Sequence, residues 1–215
     1  MITVVNNTAP VTTEIFNNIT ILEYYDYSLT LDSTKFTDVD NDTLTFSLAT
    51  NASWITTYDS NLTFEGTPND THVGNHSLSV TATDISGASV TISGYVEVVE
   101  NSLPQPIASA TIPEPVPIQL LHSFSFNFSE YFEEPDGEDF KIERVSPANY
   151  SSLTADNTTK IFGGVETTNV GADENITFTF RLTDLKRPDN YETQIQFTGK
   201  YDKPPYLSGS LVDRT

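Results

Sequence analysis

Apolar and polar residues alternate along most of this chain. In "YDYSLTL" Tyr25, Tyr27, Leu29 and Leu31 fall on one face, and in "TLTFSLA" Leu44, Phe46 and Leu48 do the same. "HSLSVTA" places Leu78, Val80 and Ala82 together, and "VTISGYVEV" carries Val90, Ile92, Val96 and Val98. A period of two marks strands with one buried face. Gly-Thr-Pro, Ser-Gly and Asn-Asp steps separate the runs as turns. No segment with a 3.6-residue period is long enough for a helix. About seven short strands in about 95 residues predict a β-sandwich.

The pattern occurs twice. "FTDVDNDTLTF" overlays "FEEPDGEDFKI", so that Phe36 meets Phe132, Asp38 meets Glu134, Asp40 meets Asp136, Asp42 meets Glu138 and Leu44 meets Phe140. "SVTATD", ending at Asp84, overlays "TFRLTD", ending at Asp184. Between them "NLTFEGTPNDTHVG" overlays "TKIFGGVETTNVG", setting Gly66 against Gly163 and Gly74 against Gly171. "ITVVNNTAP" and "VEVVENSLP" precede the two copies, with a period of about 94 residues from Pro10 to Pro104. The expected organisation is all-β. Residues 1–9 read as the last strand of a preceding repeat plus linker. Residues 10–100 and 101–202 read as two tandem immunoglobulin-like β-sandwich domains, the second divergent, and 203–215 as the start of a following repeat. Strand Ile2 to Val5 would complete a neighbouring domain or pair with another subunit.

Composition narrows the chemistry. The 215 residues carry 30 acidic and 10 basic side chains, a net charge of −20. Such a surface repels phosphate, so nucleic acid and anionic membranes are excluded as partners, and cations are favoured. Cysteine is absent, which removes disulfides and thiol chemistry. No apolar run reaches the roughly 18 residues of a membrane span. "MITVVNNTAP" lacks a basic start and an apolar stretch, so it is not a signal peptide; the chain reads as a mature or excised fragment, or as cytosolic. Eleven sequons bear on that choice: Asn6, Asn18, Asn41, Asn51, Asn61, Asn69, Asn75, Asn127, Asn149, Asn157 and Asn175. Chance would give about four, so N-linked glycans and the secretory pathway are expected. Asn41 is the weakest candidate, because it lies inside the acidic run.

That run sets Asp38, Asp40 and Asp42 at alternate positions, with Asp84 arriving from a later strand. Crowded carboxylates repel unless a cation neutralises them. Calcium takes six to eight oxygens from Asp, Glu, Asn and carbonyls. No His or Cys joins the cluster, which argues against zinc. The second copy repeats it with Glu134, Asp136, Glu138 and Asp184. A solvated polar turn is the plainer reading of either cluster alone.

The same residues carry a family resemblance. Phe36, Asp38, Asp40, Asp42 and Leu44, then Trp54, Ile55 and Asp59, the turn Gly66-Thr67-Pro68, then Gly74, Ala82, Asp84 and Gly87 resemble the landmarks of dystroglycan-type cadherin-like domains. The likeness covers about residues 6 to 99; the second copy lacks the Trp, the Gly-Thr-Pro and a Gly after Asp184. It implies cadherin-like sandwiches in tandem with calcium near the junctions. Asp38, Asp40 and Asp84 fall on calcium positions. Asn7 before Pro10, and Glu100 and Asn101 before Pro104, fall on linker positions. "GTPND" stands where classical cadherins carry an acidic Asp-Arg-Glu segment, which implies one ion per junction.

Nothing in the sequence points to catalysis. His72, His76 and His122 are the only histidines, and no nucleophile elbow, phosphate loop or Cys/His pair is present. The histidines read as surface polar residues and Trp54 as core, not as a sugar platform. The leading expectation is an extracellular glycoprotein whose repeats form an extended structural or adhesive element such as a fibre, stalk or coat. Its partners would be other repeats, identical subunits, or a surface protein or glycan. The competing readings are a non-catalytic binding module of a secreted carbohydrate-active enzyme or protease, and a ligand-binding receptor ectodomain.

Overall fold

The computed structural model describes residues 6–113, 116–119, 122–148, 150–165, 175–187 and 192–202. The expected flanking pieces, with strand Ile2 to Val5 and residues 203–215, lie outside them, as does Gly171. Two compact units divide the chain, Met1–Asn101 and Ser102–Thr215.

Unit 1 contains strands β1 (Val11–Thr12), β2 (Ile19–Leu22), β3 (Tyr27–Thr30), β4 (Phe36–Thr37), β5 (Thr45–Thr50), β6 (Ile55–Tyr58), β7 (Thr63–Gly66), β8 (Gly74–Thr83) and β9 (Ser89–Val99). A four-stranded sheet runs β2-β9-β8-β5, a three-stranded sheet runs β3-β7-β6, and β1 pairs with β4. The anticipated alternation is what joins the layers. Leu78, Val80 and Ala82 of β8 and Val96 of β9 have no exposed surface, and they meet Phe64 and Leu62 in one core. Burying each such side chain contributes about 1.5–3 kcal/mol. Trp54 packs against this core, edge-on to Tyr27 at 6.0 Å between ring centroids.

Unit 2 repeats the topology strand for strand. Its elements are β10 (Gln105–Pro106), β11 (Val116–Gln119), β12 (Ser123–Asn127), β13 (Phe132–Glu133), β14 (Phe140–Ser146), β15 (Leu153–Asp156), β16 (Ile161–Val165), β17 (Asn175–Asp184) and β18 (Glu192–Asp202). The sheets run β11-β18-β17-β14 and β12-β16-β15, with β10 on β13. Here aromatic rings fill the core. Phe162 meets Phe180 at 4.8 Å and Phe178 at 5.3 Å, and Phe128 meets Phe180 at 4.9 Å. Edge and tilted contacts of this kind add to the burial itself.

The backbone corrects one register of the repeat. Gly66 pairs with Tyr27 and Ile55, and Gly164, not Gly163, pairs with Phe124 and Leu153. A Cβ on Gly66 would lie 2.0 Å from the carbonyl oxygen of Trp54, and one on Gly164 would lie 2.3 Å from that of Ser152. The central strand of each small sheet thus passes too close to its neighbour for any side chain. Gly66→Ala is expected to destabilise unit 1 by about 1–3 kcal/mol. Denaturant unfolding followed by the fluorescence of Trp54, the only tryptophan, reads this; an unchanged midpoint would contradict it.

Candidate metal centre

The turn after β4 is built by its own carboxylates. Asp38 Oδ1 accepts the amides of Asp40 (2.8 Å) and Asp42 (3.3 Å), and the Asn41 amide bonds the Asp38 carbonyl at 3.2 Å. Asn41 takes φ 59°, a left-handed position that Asn tolerates. Gly137 occupies the matching position at φ 80° and bonds the Glu134 carbonyl at 3.1 Å.

Asp84 directly follows β8, beside this turn. Its Oδ1 accepts the amides of Ser86 (2.8 Å) and Ala88 (2.9 Å), and its Oδ2 accepts Asn7 Nδ2 at 2.9 Å. The Thr8 amide donates to Asp40 Oδ2 at 2.8 Å. Residues 7 and 8 are therefore clipped onto the acidic turn by two bonds. The side-chain bond from Asn7 leads in holding the Asp84 carboxyl below the usual range, helped by the turn amides and opposed by burial. Asp42 is pushed the other way, first by desolvation and then by the charges of Asp38, Asp84 and Asp40.

Unit 2 holds a related arrangement. The Ser102 amide donates to Asp136 Oδ2, and Asp184 Oδ1 accepts the amides of Lys186 and Arg187. Glu134 is buried and its pKa is raised to about 7, chiefly by desolvation, with the charges of Asp184, Asp136 and Glu138 adding to it.

Calcium fits these turns in one respect. Asp38 Oδ2, both Glu134 carboxylate oxygens and Asp184 Oδ2 are buried with no hydrogen-bond donor, a costly state for an ionised carboxylate. Among the described residues no three His, Cys, Asp or Glu side chains converge into a ready-made cage. The oxygens that are spoken for go to backbone amides and, at Asp84 Oδ2, to the side chain of Asn7, and closing around an ion would use the orphaned ones. Asp38, Asp42 and Asp84 with Asn7, and Glu134, Glu138 and Asp184, are the residues that would hold it.

The other linker candidates separate. Glu100 is exposed. Asn101 is fully buried, and its amide donates to Glu23 Oε1 at 3.2 Å. Glu23 is itself fully buried at the end of β2. Sequence alone does not single it out; the signal is a carboxylate closing the apolar run "ITIL". His122 is exposed, but His72 and His76 are not simple surface residues. His72 and His76 lie 6.4 and 5.7 Å from the Trp54 ring, and the Asn69 amide donates to His72 Nδ1.

The sequons acquire a second physical origin. Asn69 Oδ1 accepts both the amide (3.1 Å) and the hydroxyl (2.7 Å) of Thr71, capping the short 3₁₀ turn Asp70–His72. Asn127 Oδ1 accepts the Ser129 amide. Asp32 does the same for Thr34, and Asp156 for the Thr158 amide. At Asp32, Asn69, Asn127 and Asp156 an Asx residue two places before Ser or Thr is thus a turn cap. Asn18, Asn51 and Asn157 accept the amides of Tyr95, Ser77 and Ile142. Asn6, Asn61 and Asn75 are exposed. Asn149 and the side chain of Asn175 lie outside the described residues.

The fold and these turns define the class, an all-β tandem of immunoglobulin-like sandwiches. Residues 7–96 match the family model described as "Bacterial Ig domain". No curated protein sequence matches the chain. Among solved structures, an endo-fucoidan hydrolase from glycoside hydrolase family 107 is similar at 16% identity and TM-score 0.38, over 91% of this chain and 29% of that one. The human desmocollin-1 ectodomain is similar at 8% identity and TM-score 0.42, over 92% and 42%. Drosophila N-cadherin EC1-4 is similar at 11% identity and TM-score 0.40, over 92% and 50%. The chain spans half or less of each of these three proteins.

Two outcomes follow from the geometry. In chelator, unit 2 should be more stable at pH 5 than at pH 8. The folded-state pKa of Glu134 lies above its unfolded value, so the stability present below about pH 4.5 is lost as pH rises through about 7. Thermal melts of the wild type and Glu134→Gln, which should flatten the profile, check this. Asn69→Ala, in protein made without glycosylation, should cost about 0.5–2 kcal/mol through the lost cap. Denaturant titration measures it, and an unchanged stability would leave the sequon excess without a structural cause.

Proposed function

We propose that this chain is a non-catalytic, extracellular stretch of tandem cadherin-like sandwiches of the dystroglycan type, stiffened by calcium and serving as an extended structural or adhesive element. The observation that carries the reading is the duplicated acidic turn with buried, donorless carboxylate oxygens at Asp38, Glu134 and Asp184. A turn needing only polarity would leave those atoms in water. Glycans on the exposed Asn6, Asn61 and Asn75 belong to the same reading, and other repeats or identical subunits are its partners. Among the described residues no helix is long and apolar enough to cross a membrane.

An ion that binds only the folded form stabilises it by about RT ln(1 + [L]/Kd), or about 2.7 kcal/mol at a hundredfold excess over Kd. Calorimetry in calcium and in chelator should therefore show both transitions rising with calcium. Asp38→Ala should abolish the rise in unit 1, and Glu134→Ala the rise in unit 2. Melting temperatures indifferent to calcium would sink the proposal.

A further inference from the structure

On its larger sheet unit 1 carries three rows of outward residues without charge, the acidity of the chain resuming on that face at Glu97, two places beyond Tyr95 on β9. β5, β8 and β9 turn alternate residues outward. The register aligns Ser47, Thr81 and Thr91 in one row and Ala49, Ser79 and Ser93 in the next. A third row, Thr45, Thr83 and Ser89, extends the array. Every position but Ala49 bears a hydroxyl, and no position bears a charge, in a chain with 30 acidic and 10 basic residues. The preference of Thr for strands does not account for this. The same face of unit 2 carries Lys141, Glu143 and Arg181, with Arg181 paired to Glu143 at 3.0 Å.

Strand geometry makes the array a lattice, with rows of neighbours about 4.8 Å apart across strands and about 6.8 Å along them. Some hydroxyls bond one another, as Thr81 and Thr91 do at 2.8 Å. Each retains further donor or acceptor capacity. Tyr95, 43% exposed, follows Ser93 outward on β9.

The chemistry selects the partner. A stable protein interface wants aromatic and apolar anchors and is poor in Ser. An anionic polymer is repelled by the net charge. A cation would need carboxylates, which the rows lack. A neutral polymer bearing its own hydroxyls matches the lattice and strands no charge on burial. We propose that this face of unit 1 binds a neutral polysaccharide, laid across the hydroxyl rows with the Tyr95 ring stacking on a sugar at one end. This supplies a ligand for the non-catalytic module above and rests on that reading.

Affinity electrophoresis of the full chain in gels holding mixed-linkage β-glucan, galactomannan or arabinan tests it, with released reducing sugar measured in parallel. At least one polysaccharide should retard the wild type without sugar release. Ser79→Glu combined with Thr91→Glu should weaken retention about tenfold or more with an unchanged melting curve. Tyr95→Ala should also weaken it, and Lys141→Glu in unit 2 should not. No retardation by any of the three overturns the proposal. So does retention that is indifferent to the face variants, or a wild-type dimer that those variants dissociate. Retention accompanied by sugar release would leave the face standing and overturn the non-catalytic reading instead.

Discussion

Mutual repulsion among Asp38, Asp40, Asp42 and Asp84 is the constraint around which one end of unit 1 is arranged. Three devices contain it. Backbone amides of the turn point at Asp38 Oδ1, Asn7 reaches Asp84, and the Thr8 amide reaches Asp40. Each lends partial positive charge without adding a cation. The linker before β1 is therefore not a passive tether, because part of the neutralisation comes from it. Unit 2 keeps the turn but replaces Asp38 with the longer Glu134, which reaches deeper and gains no donor for its carboxylate. Burial, outweighing the nearby turn amide of Asp136 and reinforced by the neighbouring carboxylates, is why that group moves into the neutral range.

Period-two patterning was enough to place the buried faces of β3, β8 and β9, because a strand with one wet side writes its orientation into every second residue. The duplicated acidic turn was equally legible, since the spacing of its carboxylates survives with no structure at all. Three features were not. The pairing of Gly66 with Gly164 depends on which strand passes against which carbonyl, and "FGG" offers two adjacent glycines. Glu23 is isolated in sequence and gains its burial only when β2 packs beside β9. The Asn-x-Thr steps carry two meanings, and only the bond from Thr71 to Asn69 distinguishes a turn cap from a glycan acceptor.

The two copies preserve backbone before side chains. Leu62 and Lys160 both adopt left-handed conformations, at φ 50° and 58°, and their carbonyls accept the amides of Leu31 and Phe128. Neither residue type favours that geometry. Asp59 and Asn157, from equivalent turns, each cap an amide on the edge strand of the opposite sheet, Leu48 and Ile142. Lys160 answers its own burial with Asp139 at 2.9 Å and the face of Phe140. Turn geometry and sheet-to-sheet ties have thus outlasted the identities of the residues that make them.

The pairing of β2 with β9, like that of β11 with β18, is parallel, whereas every other pair among the described residues is antiparallel. β2 lies early in its unit and β9 is the last strand. A pull on the two ends of unit 1 therefore drags these strands past each other along their length. Their bonds, from Ile19 opposite Val96 to Leu22 opposite Val99, are loaded together in shear instead of being opened one by one. Such a unit resists tension through a short patch of backbone set between its first and last long strands.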